Sequence, residues 1–528
     1  MRLRKSKPEK TNAQVNQKPY KANHAEQTLE QAKGHKKLYL AAIAVILFLA
    51  CVSLMFSSQY SISSVILSKE PIHKVSPKRN SKKPIADKPV LFIRASQFPR
   101  ILFHHVSSVF QRLGYKVTFN GKDDWDVMWT HSDPFDEFPP DKLKAHQLVN
   151  KVPGIRFLTS KLHLAIAGGP GIPPSFQLLE DKEKFLKYVE ENPKDKFLVK
   201  GNAHGMVKLQ PFNEINLHFN SRTTFIQKFI DNPLLIDGHF FDFGVYVIVT
   251  SVNPLRVYRL ENDLGYRFCK EPYHPLDADN PAQYVVGDFN FWPSVEFPAS
   301  KKYLDSSYSF KNALDANIEE AGKDPKRMWE QVDQLIIQAF LHREKTILSV
   351  FKGAKHKRNF FELVQFDFIV DENLNVYLTE VNMSPNLSSA QYPPYAIKYE
   401  QVLFSLLSLV GLASFIHPPH QNEQMAKDMT VANRNIMVYR DVCVECNDCS
   451  KFECKLCVTC LEDDFAEDLK MAYKENMNKY EAKRLFPPKM TQEEAKFGIP
   501  TEYSNLSEKN MLQFRWYQGK CLVDDSWC

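Results

Sequence analysis

Apolar and polar residues alternate near the start of the folded region in a pattern that predicts strands separated by a helix. An apolar strand is predicted at residues 89–93, an amphipathic helix at 101–113, and two further strands at 115–119 and 125–130. Helices repeat apolar positions every three or four residues, whereas half-buried strands alternate with a period of two. The order strand, helix, strand predicts a small α/β subdomain.

Strand patterns dominate the middle of the chain. Residues 197–268 are rich in β-branched and aromatic positions, with strands predicted at 240–250 and 255–260. A long helical pattern occupies 328–351, and 400–412 is the last predicted helix of the domain. Mixed strands and helices of this kind predict an α/β (α+β) fold class.

Residues 366–382 contain two apolar runs joined by a polar connection at 372–375, a pattern typical of a β-hairpin. With a connection of that length we expect Val370 to pair with Tyr377. The same register places two carboxylates directly opposite each other, one three residues before Val370 and the other three residues after Tyr377.

Those two carboxylates are Asp367 and Glu380, and Asn382 lies on the same face two residues later. Facing residues in an antiparallel pair have Cβ atoms roughly 5 Å apart. Carboxylates so close repel each other unless a cation lies between them. An all-oxygen set with few carboxylates suits Mg²⁺, which leaves its other positions for water and phosphate. The alternative is a solvated polar face on an edge hairpin.

A stretch of 19 uncharged, mostly apolar residues begins at Leu38 and predicts a single transmembrane helix at 38–58. It separates a basic N-terminal tail, 1–37, from a Ser-, Lys- and Pro-rich linker at 59–88. More basic residues precede the apolar stretch than follow it. The pattern therefore predicts a single-pass membrane protein with a cytosolic N-terminus and a luminal or extracellular C-terminal domain.

Composition narrows the class of protein. The chain has 528 residues, 44% hydrophobic and 25% charged, with a net charge of +6. These values are those of a globular protein with two or three domains. No motif supports nucleic-acid binding, so we expect no nucleic-acid partner.

Eight of the ten cysteines lie beyond residue 440, in a region (416–528) that the sequence predicts to be a separate cysteine-rich tail. An even, dense set of cysteines indicates disulfides in an oxidising compartment. The same Cys-x2-Cys spacings occur in zinc sites of cytosolic proteins. Spacing alone leaves both interpretations open.

Two further segments carry candidate chemistry. The apolar strand 197–200 ends in Lys200, and a lysine at a strand end can neutralise phosphates. Residues 201–205 form a short glycine-containing loop. The strand at 225–230, followed by a tight turn, offers backbone groups for an adenine edge. Ordinary surface lysines and turns give similar patterns, so these signals need context.

The context comes from three stretches: FIQKFIDNPLLIDGHFFDF, then GVYVIVTSVNPLRVYRLENDLGYRF, and FDFIVDENLNVYLTEVNMSPNLSS. In order and spacing they resemble the tubulin–tyrosine ligase-like family, over roughly residues 90–415. The resemblance implies an ATP-grasp ligase domain. It also implies use of ATP and Mg²⁺ to join an amino acid, such as glutamate, to a protein carboxylate through an acyl-phosphate. The implied partner is a protein with an acidic tail, tubulin by family resemblance.

The resemblance also assigns roles by position. It implies that Mg²⁺ is held by the hairpin triad described above and that phosphate contacts Lys200. Catalytic roles are implied for Asp242 and Arg267, with Asp242 also contacting the nucleotide. The adenine-contacting strand is implied at Gln227, Lys228, Phe229 and Ile230.

Departures from the family pattern set a limit on this assignment. Where the family has Arg-Lys-Phe-Asp-Ile-Arg, this chain has Phe240 in place of the lysine and Gly244 in place of the final arginine. The family's His-Leu-Thr-Asn element has no clear counterpart, and residues 287–290 lie where it should fall. Loss of one charge-stabilising donor typically costs about 10²–10³-fold in rate. A membrane-anchored nucleotide-binding pseudoenzyme is therefore the alternative hypothesis.

Overall fold

A computed structural model describes residues 88–95, 100–201, 207–218, 222–287, 291–413, 432 and 435–528. Several predictions fall outside these ranges. They are the basic tail at 1–37, the transmembrane helix at 38–58, all but the last residue of the linker at 59–88, residues 202–205 of the glycine-containing loop, and 288–290.

Fifteen strands run through the described residues: β1 Val90–Arg94, β2 Lys116–Thr118, β3 Val127–Thr130, β4 Leu148–Val149, β5 Ser175–Phe176, β6 Lys196–Gly201, β7 Val207–Pro211, β8 Thr224–Lys228, β9 Leu235–Ile236, β10 His239–Val252, β11 Leu255–Cys269, β12 Phe291–Pro293, β13 Glu362–Val370, β14 Val376–Asn382 and β15 Ala482–Phe486. The α-helices in the same ranges are α1 His104–Arg112, α2 Arg156–Thr159, α3 Lys161–Ala167, α4 Leu178–Glu191, α5 Pro298–Leu304, α6 Phe310–Glu320, α7 Pro325–Leu341, α8 Glu344–Phe351, α9 Ala396–Leu409, α10 Arg440–Val444, α11 Asp463–Met477, α12 Gln492–Lys496 and α13 Glu508–Val523.

The first sheet has the order β2-β1-β3-β4, and its strands are parallel. Helix α1 connects β1 to β2 and buries Val106, Val109 and Phe110 on one face. A crossover helix is the usual connection between parallel strands, because a short turn reverses the chain direction and would make the next strand antiparallel. The predicted strand, helix, strand order is therefore present as a small α/β sheet.

The central sheet is antiparallel, with the order β12-β11-β10-β13-β14. Its two longest strands, β10 and β11, are buried along most of their length and form one hairpin. Burial on both faces explains the nearly continuous apolar sequence of β10. The long helix predicted at 328–351 is two helices, α7 and α8, and α7 packs ten buried residues against this region.

A third sheet, with the order β5-β8-β6-β7, is antiparallel and carries helix α4. Phe185 of α4 packs against Phe176 and Phe197 of two of these strands. The third sheet therefore has a small core of its own. It supplies Lys200 from β6 and the predicted adenine strand from β8.

The cysteine-rich region is not a separate tail, because it contributes to the central sheet. Strand β15 pairs with β11, and the described residues belong to one compact unit. Glu475 of α11 accepts hydrogen bonds from Arg256 and Tyr258, all three being buried. The boundary near 416 was predicted from composition, and composition does not report long-range strand pairing.

Four disulfides are present in this region, joining Cys443 to Cys457, Cys446 to Cys454, Cys449 to Cys460 and Cys521 to Cys528. The spacing left disulfides and a zinc site as alternatives, and the structure has the disulfide arrangement. The first three links lie within residues 443–460, and the link between Cys449 and Cys460 crosses the other two. They hold together a stretch that contains little regular secondary structure.

The prediction of a single-pass membrane protein with a luminal or extracellular C-terminal domain is contradicted. In the part of the chain that the structure describes, no helix is both long and apolar enough to cross a bilayer. The longest helix in that part, α7, has 17 residues, whereas a spanning helix needs about 20 apolar ones. Segment 38–58 itself lies outside the described residues.

Candidate functional site

The hairpin β13–β14 has Asp367 opposite Glu380. The turn differs from the expected one, because Val370 pairs with Val376 rather than with Tyr377. A shift of register between Asp367 and Phe368 compensates for this difference. The extra residue in β14 is Thr379, whose hydroxyl donates to the Asp367 carbonyl over 2.9 Å. A bulge of this kind redirects a side chain, and here it brings Glu380 to the carboxylate.

Two amides hold the Asp367 side chain from opposite sides. Gln365 Nε2 donates to Oδ1 over 2.6 Å and Asn382 Nδ2 donates to Oδ2 over 2.8 Å. Asp367 is 6% exposed. Burial raises its pKa to about 8, with Arg267 opposing that rise and Glu380 adding to it. With its amide nitrogen directed at Asp367, Asn382 has its amide oxygen as the remaining acceptor.

Asp242 and Arg267 are paired residues on β10 and β11. Arg267 Nε donates to Asp242 Oδ1 over 3.1 Å, and Nη2 donates to Oδ2, so the contact is bidentate. Burial raises the pKa of Asp242, and Arg267 opposes the rise. Burial acts to lower the pKa of Arg267, but Asp242, Asp367 and Glu380 raise it above its ordinary value. The pair therefore holds a guanidinium beside the hairpin carboxylates.

Lys200 extends from the third sheet toward the same place. Its Nζ donates to Gln227 Oε1 over 2.6 Å, and Gln227 Nε2 donates to Ser175 Oγ over 2.9 Å. Burial lowers the pKa of Lys200 to about 8, with the charge of Glu380 opposing. A half-buried ammonium bonded to a neutral amide is suited to bind an anionic group.

Lys161, the first residue of α3, is a residue that sequence reasoning missed. Its Nζ lies 3.2 Å from Glu380 Oε1. No local pattern around Lys161 indicates this contact, since the two residues are far apart along the chain. Their proximity depends on how α3 packs against β14. The lysine brings a positive charge to Glu380, which faces Asp367 across the hairpin.

Phe240 belongs to an apolar cluster rather than to a charged one. Its ring stacks on Tyr273 at 6.3 Å between centroids, and Phe229 and Tyr284 lie in the same cluster. Tyr284 and the neighbouring Val285 belong to a segment that the sequence did not single out. These side chains form an apolar end to the site, which can accept a flat ring such as a nucleobase.

One cavity of about 470 Å³ unites the site. All ten residues singled out from the sequence line it: Lys200, Gln227, Lys228, Phe229, Ile230, Asp242, Arg267, Asp367, Glu380 and Asn382. Lys228 also forms an ion pair with Asp195 at 3.0 Å. Of the segment 287–290, Gly287 lines the cavity and the other residues are not described. The binding roles of the ten residues stay predictions.

The donor set is compatible with a metal-bound polyphosphate. Within the described ranges no group of three or more His, Cys, Asp or Glu side chains forms a ready-made metal site. The hairpin instead offers two carboxylates and an amide, the kind of partial set with which Mg²⁺ binds phosphates. Three carboxylates and four cationic groups therefore line the cavity beside an apolar end.

The sequence of this chain is similar to those of known proteins. The model of the "Tubulin-tyrosine ligase family" matches residues 143–424. The chain is 36% identical over 443 residues to the "Probable tubulin polyglutamylase ttll-15" of Caenorhabditis elegans, covering 80% of this chain and 83% of that protein. It is 26% identical over 332 residues to the "Tubulin monoglutamylase TTLL4" of Homo sapiens, covering 59% of this chain and 27% of that protein.

Proposed function

Because the chain belongs to the tubulin-tyrosine ligase family, we propose that it is an ATP- and Mg²⁺-dependent ligase. The reaction joins glutamate through an amide bond to the side-chain carboxylate of a protein glutamate. The observation that carries the proposal is the single cavity lined by the hairpin triad, Lys200 and the β8 strand. The antiparallel central sheet with a second, smaller antiparallel sheet over the cavity supports an ATP-grasp type of fold.

In this proposal the residues of the hairpin hold the metal. Asp367 and Glu380 supply carboxylate oxygens and Asn382 supplies its amide oxygen. When bound, Mg-ATP supplies the phosphoryl group that activates the acceptor carboxylate. The raised pKa of Asp367, with two other carboxylates nearby, agrees with a place that a divalent cation stabilises.

The remaining residues of the site bind the nucleotide and orient it. Lys200 neutralises phosphate charge, and the segment from Gln227 to Ile230 lies against the base. Arg267, held in place by Asp242, presents its guanidinium to the transferring group. Positioning and charge neutralisation account for most of the catalysis in phosphoryl transfer. Lys161 supplies a cation that partly replaces those absent at positions 240 and 244.

The names of the relatives indicate the acceptor. They are described as a tubulin polyglutamylase and a tubulin monoglutamylase, and we propose a protein with an acidic tail, tubulin first, as the substrate. The proposal is tested by supplying the full chain with Mg-ATP, radiolabelled glutamate and tubulin. We expect incorporation that Asp367→Asn abolishes and Asp305→Asn, an exposed carboxylate in a surface ion pair, leaves intact.

Nucleotide binding without incorporation into tubulin or another acidic-tailed protein would overturn the ligase proposal. That result would favour the pseudoenzyme alternative, which rests on the apolar Phe240 and on Gly244.

A further inference from the structure

Gly244 lies on β10, between β11 and the strand that carries Asp367. It pairs with Gly265 on β11 and with Asp367 on β13. A glycine inside a strand weakens the strand and often marks a place where another group approaches the backbone closely. The structure identifies that group. A Cβ added at Gly244 would lie 2.3 Å from both Asp367 Oδ1 and Gln365 Nε2.

The neighbouring glycine behaves differently. A Cβ added at Gly265 would meet no heavy atom within 4 Å. Both glycines belong to one paired position of the same ladder, so strand geometry does not explain the difference. The crowding at Gly244 arises from the Gln365 amide and from the carboxylate that this amide holds.

The register of β13 explains why the Gln365 side chain occupies the space over Gly244. Residues 365 and 367 point to the same face of β13 because side chains alternate along a strand. Gln365 pairs with Asn382 across the hairpin, and the two amides donate to opposite oxygens of Asp367. The carboxylate therefore has its orientation set from both sides.

We propose that Gln365 is a positioning residue for the candidate metal site: its amide orients the Asp367 carboxylate, and position 244 is glycine so that this amide fits. The proposal rests on the function proposed above. It explains the glycine at position 244 by the space that the Gln365 side chain occupies, and not only by the loss of a cation. Partners that orient metal ligands typically contribute about 10–100-fold to metal affinity.

The test measures Mn²⁺ binding to the full chain by electron paramagnetic resonance, in the presence of a non-hydrolysable ATP analogue. Gln365→Met keeps the side-chain length and removes the donor. We expect it to weaken Mn²⁺ binding about 10–100-fold. Gly244→Ala should weaken it as well, because the added methyl displaces the amide. Gly265→Ala adds the same methyl to open space and should leave Mn²⁺ binding unchanged.

A crystal structure of the Gln365→Met variant without nucleotide separates this inference from the proposed function. Rotation of the Asp367 carboxylate away from its original direction supports the positioning role even if the unmodified chain binds no Mn²⁺. Failure of Mn²⁺ binding in the unmodified chain would count against the proposed function alone. An unmoved Asp367, or a lower melting temperature with unchanged Mn²⁺ affinity, would overturn the positioning role.

Discussion

Lys161 Nζ lies 3.2 Å from Glu380 Oε1, and this contact joins helix α3 to the hairpin that carries the candidate metal site. Both side chains are about one-quarter exposed, so the ion pair borders the cavity and is accessible to a ligand. The pair brings a cation to the carboxylates from a helix that is far from the hairpin along the chain.

Replacing Lys161 tests whether its charge partly replaces the cations that are absent at positions 240 and 244. We expect Lys161→Met to reduce ATP-dependent glutamate incorporation about 10²-fold, the usual loss when one charge-stabilising donor is removed. Lys161→Arg keeps the charge and should retain more of the activity. Initial rates at saturating ATP measure the effect. Equal rates in Lys161→Met and the unmodified chain would show that this lysine does not substitute for the absent cations.

Mg-ATP should stabilise the fold, because a ligand that binds only the native state raises the unfolding free energy. At a ligand concentration 100 times the dissociation constant the gain is about 2.7 kcal/mol. Differential scanning fluorimetry should show this as a higher melting temperature. The double variant Asp367→Asn with Glu380→Gln should lose the shift, whereas Asp305→Asn should keep it. Absence of any shift in the unmodified chain contradicts nucleotide binding.

Glu475 should be essential for stability, because it is 1% exposed and pairs with the buried Arg256. Glu475→Gln leaves an uncompensated guanidinium in the core, and removing one partner of such a pair costs about 3–5 kcal/mol. Denaturant titration measures the loss. Glu467→Gln, on the exposed side of the same helix, should change the unfolding free energy by less than about 0.5 kcal/mol. Similar small effects at both positions would argue that α11 is loosely attached.

Lys398 should make stability depend on pH. It is 3% exposed and lies 3.8 Å from the Tyr395 ring centroid and 4.9 Å from that of Tyr399. Burial lowers its pKa to about 7, with Asp263 opposing. Between that value and about 10.4, its ordinary pKa, the unfolded chain binds more protons. Stability attributable to Lys398 therefore rises as pH increases from about 7 to about 10.

Lys398→Met should remove this contribution, so the difference in unfolding free energy between the variant and the unmodified chain should shrink with rising pH. Lys326→Met, at an exposed position, provides the control. A difference that stays constant from pH 7 to pH 10 would mean that the surrounding rings keep Lys398 charged.

The eight cysteines beyond residue 440 should resist alkylation in the unfolded chain when no reductant is present, because each is in a disulfide. Cys269 is a buried thiol whose pKa is raised by burial, and it should react only after unfolding. Mass spectrometry of alkylated peptides distinguishes these cases. Labelling of the eight without reductant, or one equivalent of zinc per chain, would contradict the disulfide arrangement.

The candidate site could be assembled from sequence because most of its residues lie on strands, where side chains alternate between the two faces. Asp367 and Glu380 were predicted to face each other, and they do. The predicted turn was wrong, because Val370 pairs with Val376 and not with Tyr377. The bulge at Thr379 restores the pairing of Asp367 with Glu380. A bulge shifts the alternation by one residue. The buried apolar positions of β14 are Val376, Leu378 and Val381, and the wider spacing between the last two was the signal for the bulge that the prediction did not use.

The sequence by itself determined the hairpin, the α/β class and ten of the side chains that line the cavity. Each of these follows from local periodicity or from motifs with a recognisable spacing. Only the tertiary structure decided that Lys161 reaches Glu380, that Gln365 fills the space over Gly244, and that Glu475 ties the cysteine-rich region to the central sheet. These contacts join residues from separate elements, and their geometry depends on how those elements pack, which no local pattern encodes.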